Sequence, residues 1–81
     1  MTDREILRLI GKNIRKARLA RDYTQKCLAE MLDLNEKTVI YLEQGKHPFK
    51  VTTFARIIQC LEVSPNRLLD ELSPGNDDNQ P

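Results

Sequence analysis

Between Leu32 and Asn35 only two residues, Asp33 and Leu34, separate two short stretches that each carry apolar side chains at helical spacing. In the first, Leu28, Ala29 and Leu32 recur on one side of a helix; in the second, Val39 and Leu42 do. Two short helices joined by so tight a turn make helix-turn-helix the candidate motif.

The flanking residues agree with that reading. Thr24 precedes the first stretch and predicts an N-cap, whose hydroxyl accepts a hydrogen bond from a free amide of helix 2, about Gln25 to Leu32. Helix 3 is expected over Asn35 to Gln44, ending at Gly45, a residue suited to the left-handed position after a helix. Upstream, Ile6, Leu7, Ile10, Ile14 and Ala17 share one face, with Arg8, Lys12 and Arg15 on the other, so a first amphipathic helix is expected from about Arg4 to Ala20. Downstream, Pro48 turns Lys46 to Lys50 into a loop. Val51, Phe54, Ile57, Ile58 and Leu61 then restore the period in a fourth helix up to Val63. Ser64-Pro65 supplies an N-cap and a first-turn proline for a fifth, whose apolar side is Leu68, Leu69 and Leu72. From Ser73 to Pro81 the chain is polar, acidic and rich in turn formers. The expectation is an all-α domain of five helices over residues 1–72 and a disordered acidic tail over 73–81.

With 81 residues there is room for one modest core and no second domain. No apolar run approaches the ~20 residues of a membrane span, and the first residues do not lead into a signal-peptide core, so a soluble cytoplasmic protein is expected. Cys27 and Cys60 have no second pair and no neighbouring His, which fits neither a metal site nor a disulfide framework and leaves two free thiols. No cofactor is implied. Catalysis finds no support either: there is no paired His and nucleophile, no Gly-rich phosphate loop and no acid cluster.

Charge is more informative than its +1 sum. Residues 1–32 carry eight Lys and Arg against four acids, and residues 51–81 carry two against five. A basic front and an acidic back give one face suited to phosphate.

Taken together, Ile10-Gly11, Ile14, Arg18, Thr24-Gln25, Leu28-Ala29, Val39, Leu42-Glu43, Gly45-Lys46, Leu61, Val63-Ser64 and Leu68-Leu69 stand at the spacing of a known family. Over about Ile10 to Leu69 the chain resembles the lambda-repressor-like (Cro-type, Xre-like) helix-turn-helix family. The resemblance implies a sequence-specific regulator of transcription that binds double-stranded DNA as a homodimer, with helix 3 in the major groove and helix 2 across the backbone. It also implies that Arg18 pairs with Glu43, and the wheel agrees, because both lie on the core-facing sides of their helices.

On helix 3, Lys37, Tyr41 and Gln44 face away from Val39, Leu42 and Glu43, with Ile40 and Thr38 on the shoulders. Asn35, Glu36, Lys37, Ile40 and Tyr41 are the candidate base readers. Asn can pair with adenine, Lys with guanine, Glu can accept from cytosine, and Ile can touch a thymine methyl. Thr24, Gln25, Gln44, Lys46 and Lys50 match or flank the family's phosphate-contacting positions. His47 reads as a solvated loop residue or a further contact, and the basic face of helix 1 as a solvated surface or a source of long-range attraction. Leu68, Leu69 and Leu72, with Leu9 and Leu19, are either a dimer contact or, for helix 5, the closing of the monomer core.

The chain also departs from the family's pattern. Asp33 stands where Gly is usual in the turn, Ile58 where a small residue is usual, and Phe49 near the place of a usual Pro. Helix 3 itself holds one Lys and no Arg, and exposes Ile40 and Tyr41. A second function class therefore stays open: a protein-interaction module, antitoxin-like or adaptor, using Ile40, Tyr41 and Met31 against a partner. Salt separates the two, because neutralising six to ten phosphates makes binding fall by about 10³–10⁵ between 50 and 200 mM, and a hydrophobic contact does not.

Overall fold

A computed structural model of the chain describes residues 1–72. Over that range it is all helical: α1 Asp3–Ala20, α2 Gln25–Leu32, α3 Glu36–Glu43, α4 Val51–Leu61 and α5 Pro65–Leu68. The expected acidic tail, 73–81, lies outside the described residues. No helix among the described residues is long and apolar enough to cross a membrane.

Local chemistry starts nearly every helix. Thr2 and Glu5 form a reciprocal capping box on α1: Glu5 N donates to Thr2 Oγ1 at 3.1 Å, and Thr2 N donates to Glu5 Oε1 at 2.7 Å. These bonds hold the Glu5 carboxyl below the usual carboxylate range. Thr24 Oγ1 accepts from Cys27 N at 3.0 Å, Asn35 Oδ1 from Thr38 N at 2.9 Å, and Ser64 caps α5 ahead of Pro65. Of the five, α4 starts without a side-chain cap.

Helix ends rest on left-handed residues. Asp33 takes φ 59° after α2, where Leu34 N donates to Ala29 O at 2.9 Å, and Gly45 takes φ 75° after α3, where Lys46 N donates to Tyr41 O at 2.9 Å. Two expectations are corrected at such ends. The fourth helix stops at Leu61 and not at Val63, because Glu62 turns left-handed with φ 54°. The fifth stops at Leu68; Leu69 and Leu72 belong to the turn that follows and pack partly against the core.

Every helix contributes to one core. Ile10, Ile14 and Ala17 of α1 meet Leu28, Ala29 and Leu32 of α2, Val39 of α3, Ile57 and Leu61 of α4 and Leu68 of α5. Val51 was expected among these side chains, yet it is 84% exposed: it opens α4 on the side away from the core. Leu68 is fully buried, so it closes the monomer core and has no surface left for a second subunit. Buried Asn13 secures this closure, its Nδ2 donating to Leu68 O at 3.0 Å and Asp70 O at 3.1 Å. Cys27 and Cys60 are free thiols, both half-buried.

Candidate nucleic-acid interface

The helix that would read DNA is held by its last residue. Glu43 is buried, and its Oε2 accepts from Arg18 Nε at 2.7 Å while Oε1 accepts from Arg18 Nη2 and from Gln25 Nε2, each at 3.1 Å. Arg18 Nη1 donates in turn to Tyr23 O at 2.8 Å. One carboxylate thus ties the end of α3 to the end of α1 and the start of α2, and the two buried charges answer each other. Gly11 makes this approach possible. A Cβ there would stand 2.6 Å from Glu43 O and closer still to Leu42 O, so only glycine lets α1 pass beneath the end of α3.

With the inner side of α3 fixed by Val39, Leu42 and Glu43, its outer side carries the expected readers. Glu36, Lys37 and Gln44 are exposed, and Ile40 is half-buried. Asn35 is exposed but caps the helix, its Oδ1 engaged by the Thr38 amide and hydroxyl, each at 2.9 Å; the Nδ2 donor is the part of the amide that the cap does not use. Tyr41 was expected to point straight out, and here the structure differs. Its ring is half-buried against the following loop, 5.1 Å from the His47 ring and with Lys46 Nζ 5.7 Å above it. His47 therefore braces Tyr41.

The expected phosphate contacts do not all fall together. Thr24 and Gln25 stand at the start of α2, although Thr24 is spent partly on its cap and Gln25 partly on Glu43. Gln44 and Lys46 lie at the end of α3, beside Arg4 and Arg8 of α1. Lys50 is separate from them, near Asp33, Leu34 and Arg56, where the α2–α3 turn meets the start of α4.

A helix-turn-helix family model, HTH_3, matches residues 14–68. The chain belongs to the HTH_3 family. Its expected resemblance to lambda-repressor-like, Xre-like proteins rests on the same segment, with α2 and α3 as the helix-turn-helix of this HTH_3 chain. No curated protein matches it by sequence. Among solved structures it is similar to the restriction-modification controller protein C.AhdI from Aeromonas hydrophila, with a TM-score of 0.78 at 22% identity over 84% of this chain and 99% of that one. An HTH_3 family transcriptional regulator from Vibrio cholerae superposes with a TM-score of 0.75 at 19% identity, over 83% of this chain but 38% of its own length. The hypothetical transcription factor NHTF from Neisseria superposes equally well, at 0.75 and 19%, over 85% of this chain and 79% of that one. At such identities the likeness is one of fold.

Some residues that hold the helices of this HTH_3 protein together escape a reading of the sequence. Arg21 donates from Nε to Leu61 O at 2.6 Å and from Nη2 to Glu62 Oε1 at 3.1 Å, joining the end of α1 to the end of α4. Its position after an amphipathic helix looks like any solvated cation. Asn13 betrays itself only by standing on the apolar side of α1, one residue before Ile14.

Proposed function

We propose that this HTH_3 protein is a sequence-specific, double-stranded DNA-binding regulator of transcription, a cytoplasmic repressor that binds a pseudo-palindromic operator as a homodimer. Residues 1–72 are the binding unit. The observation that carries this reading is the clamp on Glu43: α3 is held at one angle to α1 and α2 while Glu36, Lys37 and Gln44 project outward from it. A rigid helix with polar groups on its free side is what insertion into the major groove requires.

In this reading Lys37, Glu36, Ile40, Tyr41 and the free amide donor of Asn35 meet base edges. Thr24, Gln25, Gln44, Lys46 and Lys50 meet phosphates and set register. Two-fold symmetry would place two copies of α3 about 34 Å apart on the duplex. For the subunit contact Leu9, Leu69 and Leu72, all half-buried, and the exposed Leu19 remain, whereas Leu68 is withdrawn because it is fully buried within one chain.

Selection from a random duplex pool at physiological salt, followed by sequencing of the bound fraction, tests the proposal. Paired half-sites about one helical turn apart are the expected result. A folded protein that enriches nothing would overturn it in favour of the partner-binding module.

A further inference from the structure

The basic side of α1 is not evenly surrounded by water. Gly45, at the end of α3, lies so close to α1 that a Cβ there would come within 2.6 Å of Arg8 Cα. This contact sets Arg8, and Arg4 one turn before it, beside the residues that follow the recognition helix. Arg4, Arg8, Gln44 and Lys46 line an open cavity of about 510 Å³, with only Leu7 and Gly45 completing the wall. Its charged lining is wholly cationic, and all three cations are exposed.

Those cations have no carboxylate partner among the described residues. The ion pairs there are Arg18 with Glu43 and Arg21 with Glu62. Glu5, close by on α1, is engaged with Thr2 and feels the charge of Arg8 only through space. On its other side Arg8 borders a cleft with Glu5 and Glu71, and neither comes within ion-pair distance of it. Three like charges gathered at a cavity with no carboxylate repel one another, and an anion in their midst relieves that repulsion.

We infer that Arg4 and Arg8, with Gln44 and Lys46, form a site for a backbone phosphodiester of the bound duplex, beyond the C-terminal end of α3. Resting on the DNA-binding reading, this extends the footprint from the helix-turn-helix onto the first helix of the chain. Arginine suits the task, since its planar fork can engage two phosphate oxygens together. The contact adds affinity and fixes register and carries no base preference.

The test compares wild type with the Arg4→Gln/Arg8→Gln double variant on the selected duplex between 50 and 200 mM salt. Both side chains are exposed, so the variant keeps the fold, which circular dichroism and the thermal midpoint verify. The expected result is a salt slope shallower by about one to two, so that the fourfold rise in salt costs the variant about 4- to 16-fold less affinity than it costs wild type. Affinity at 50 mM drops about tenfold or more on every sequence alike, and the selected bases do not change. Trimming the flanking base pairs from the duplex should remove the difference, and Arg4→Lys/Arg8→Lys should restore most of the slope. An unchanged affinity and slope would overturn the inference while leaving the DNA reading intact, as would a difference that persists on the trimmed duplex, which marks long-range attraction only. Wild-type protein that binds no duplex would overturn both.

Discussion

Arg18 and Glu43, twenty-five positions apart, meet in a two-pronged ion pair with Nε to Oε2 at 2.7 Å and side chains only 6% and 3% exposed. Tyr23 O accepts a further bond from Arg18, and Gln25 Nε2 donates a further one to Glu43. The pair is the point at which three helices are joined, and the angle of α3 depends on it.

Removing the carboxylate therefore costs more than a contact. Glu43→Ala strands a buried guanidinium and frees Gln25, and should lower stability by about 3–5 kcal/mol. Glu43→Gln, which keeps an acceptor, should lose less. Urea unfolding followed by circular dichroism reads both, and a midpoint for Glu43→Ala equal to wild type would show that the pair contributes nothing.

Gly11 is next to be tested. In Gly11→Ala the new methyl would meet backbone oxygens of Leu42 and Glu43, which cannot rotate aside. The expected loss is about 1–3 kcal/mol from overpacking, in spite of the better helix propensity of alanine. DNA affinity should fall with it on all sequences, since α3 must shift; a gain in thermal midpoint would contradict the close approach.

Glu5 gives a pH-dependent prediction. Its folded pKa is lowered, chiefly by the Thr2 amide and then by the Thr2 hydroxyl, so the capping box is complete above the ordinary glutamate range and is lost as pH falls through the lowered value. Side-chain carboxyl NMR should place the Glu5 midpoint below the ordinary glutamate value. In Thr2→Val, which lacks the hydroxyl, the midpoint should move up.

Lys37 and Lys46 should separate reading from holding. Lys37→Ala is expected to relax preference at one base pair by roughly 1–3 kcal/mol, while Lys46→Ala weakens all sequences alike and makes the salt slope shallower by about one. Titration of a small set of single-base operator variants distinguishes them, and identical behaviour of the two proteins on every duplex would refute the division of roles.

Much of this architecture is legible in the order of the residues, because its signals are local. Thr24 and Ser64 announce helix starts, Gly45 announces an end, and the spacing of Ile10, Ile14 and Ala17 announces which face is covered. Asp33 stands in the turn where the resembling family usually has Gly, and it takes the left-handed conformation with φ 59°. The ends without glycine are harder to read: Glu62 takes the left-handed conformation with φ 54°, a local strain that only its surroundings hold in place. Leu68, Leu69 and Leu72 look alike in the sequence, and only the packing separates the one that is buried from the two that are partly exposed.

Residue order indicates a helix-turn-helix domain and most of the positions that turn inward, Val51 excepted, and the family resemblance adds the pairing of Arg18 with Glu43. Helical periodicity and capping are interactions among near neighbours, so spacing carries them. Three relations arise only when the helices pack: Gly11 and Gly45 let α1 touch the end of α3, His47 braces Tyr41, and Arg4 and Arg8 stand beside Lys46. The first and last of these join residues far apart in the chain through the crossing of whole helices, and the seat of Tyr41 depends on where the loop after α3 is laid down. A crossing depends on how all the buried side chains fill the core at once, and no short stretch of sequence contains that information.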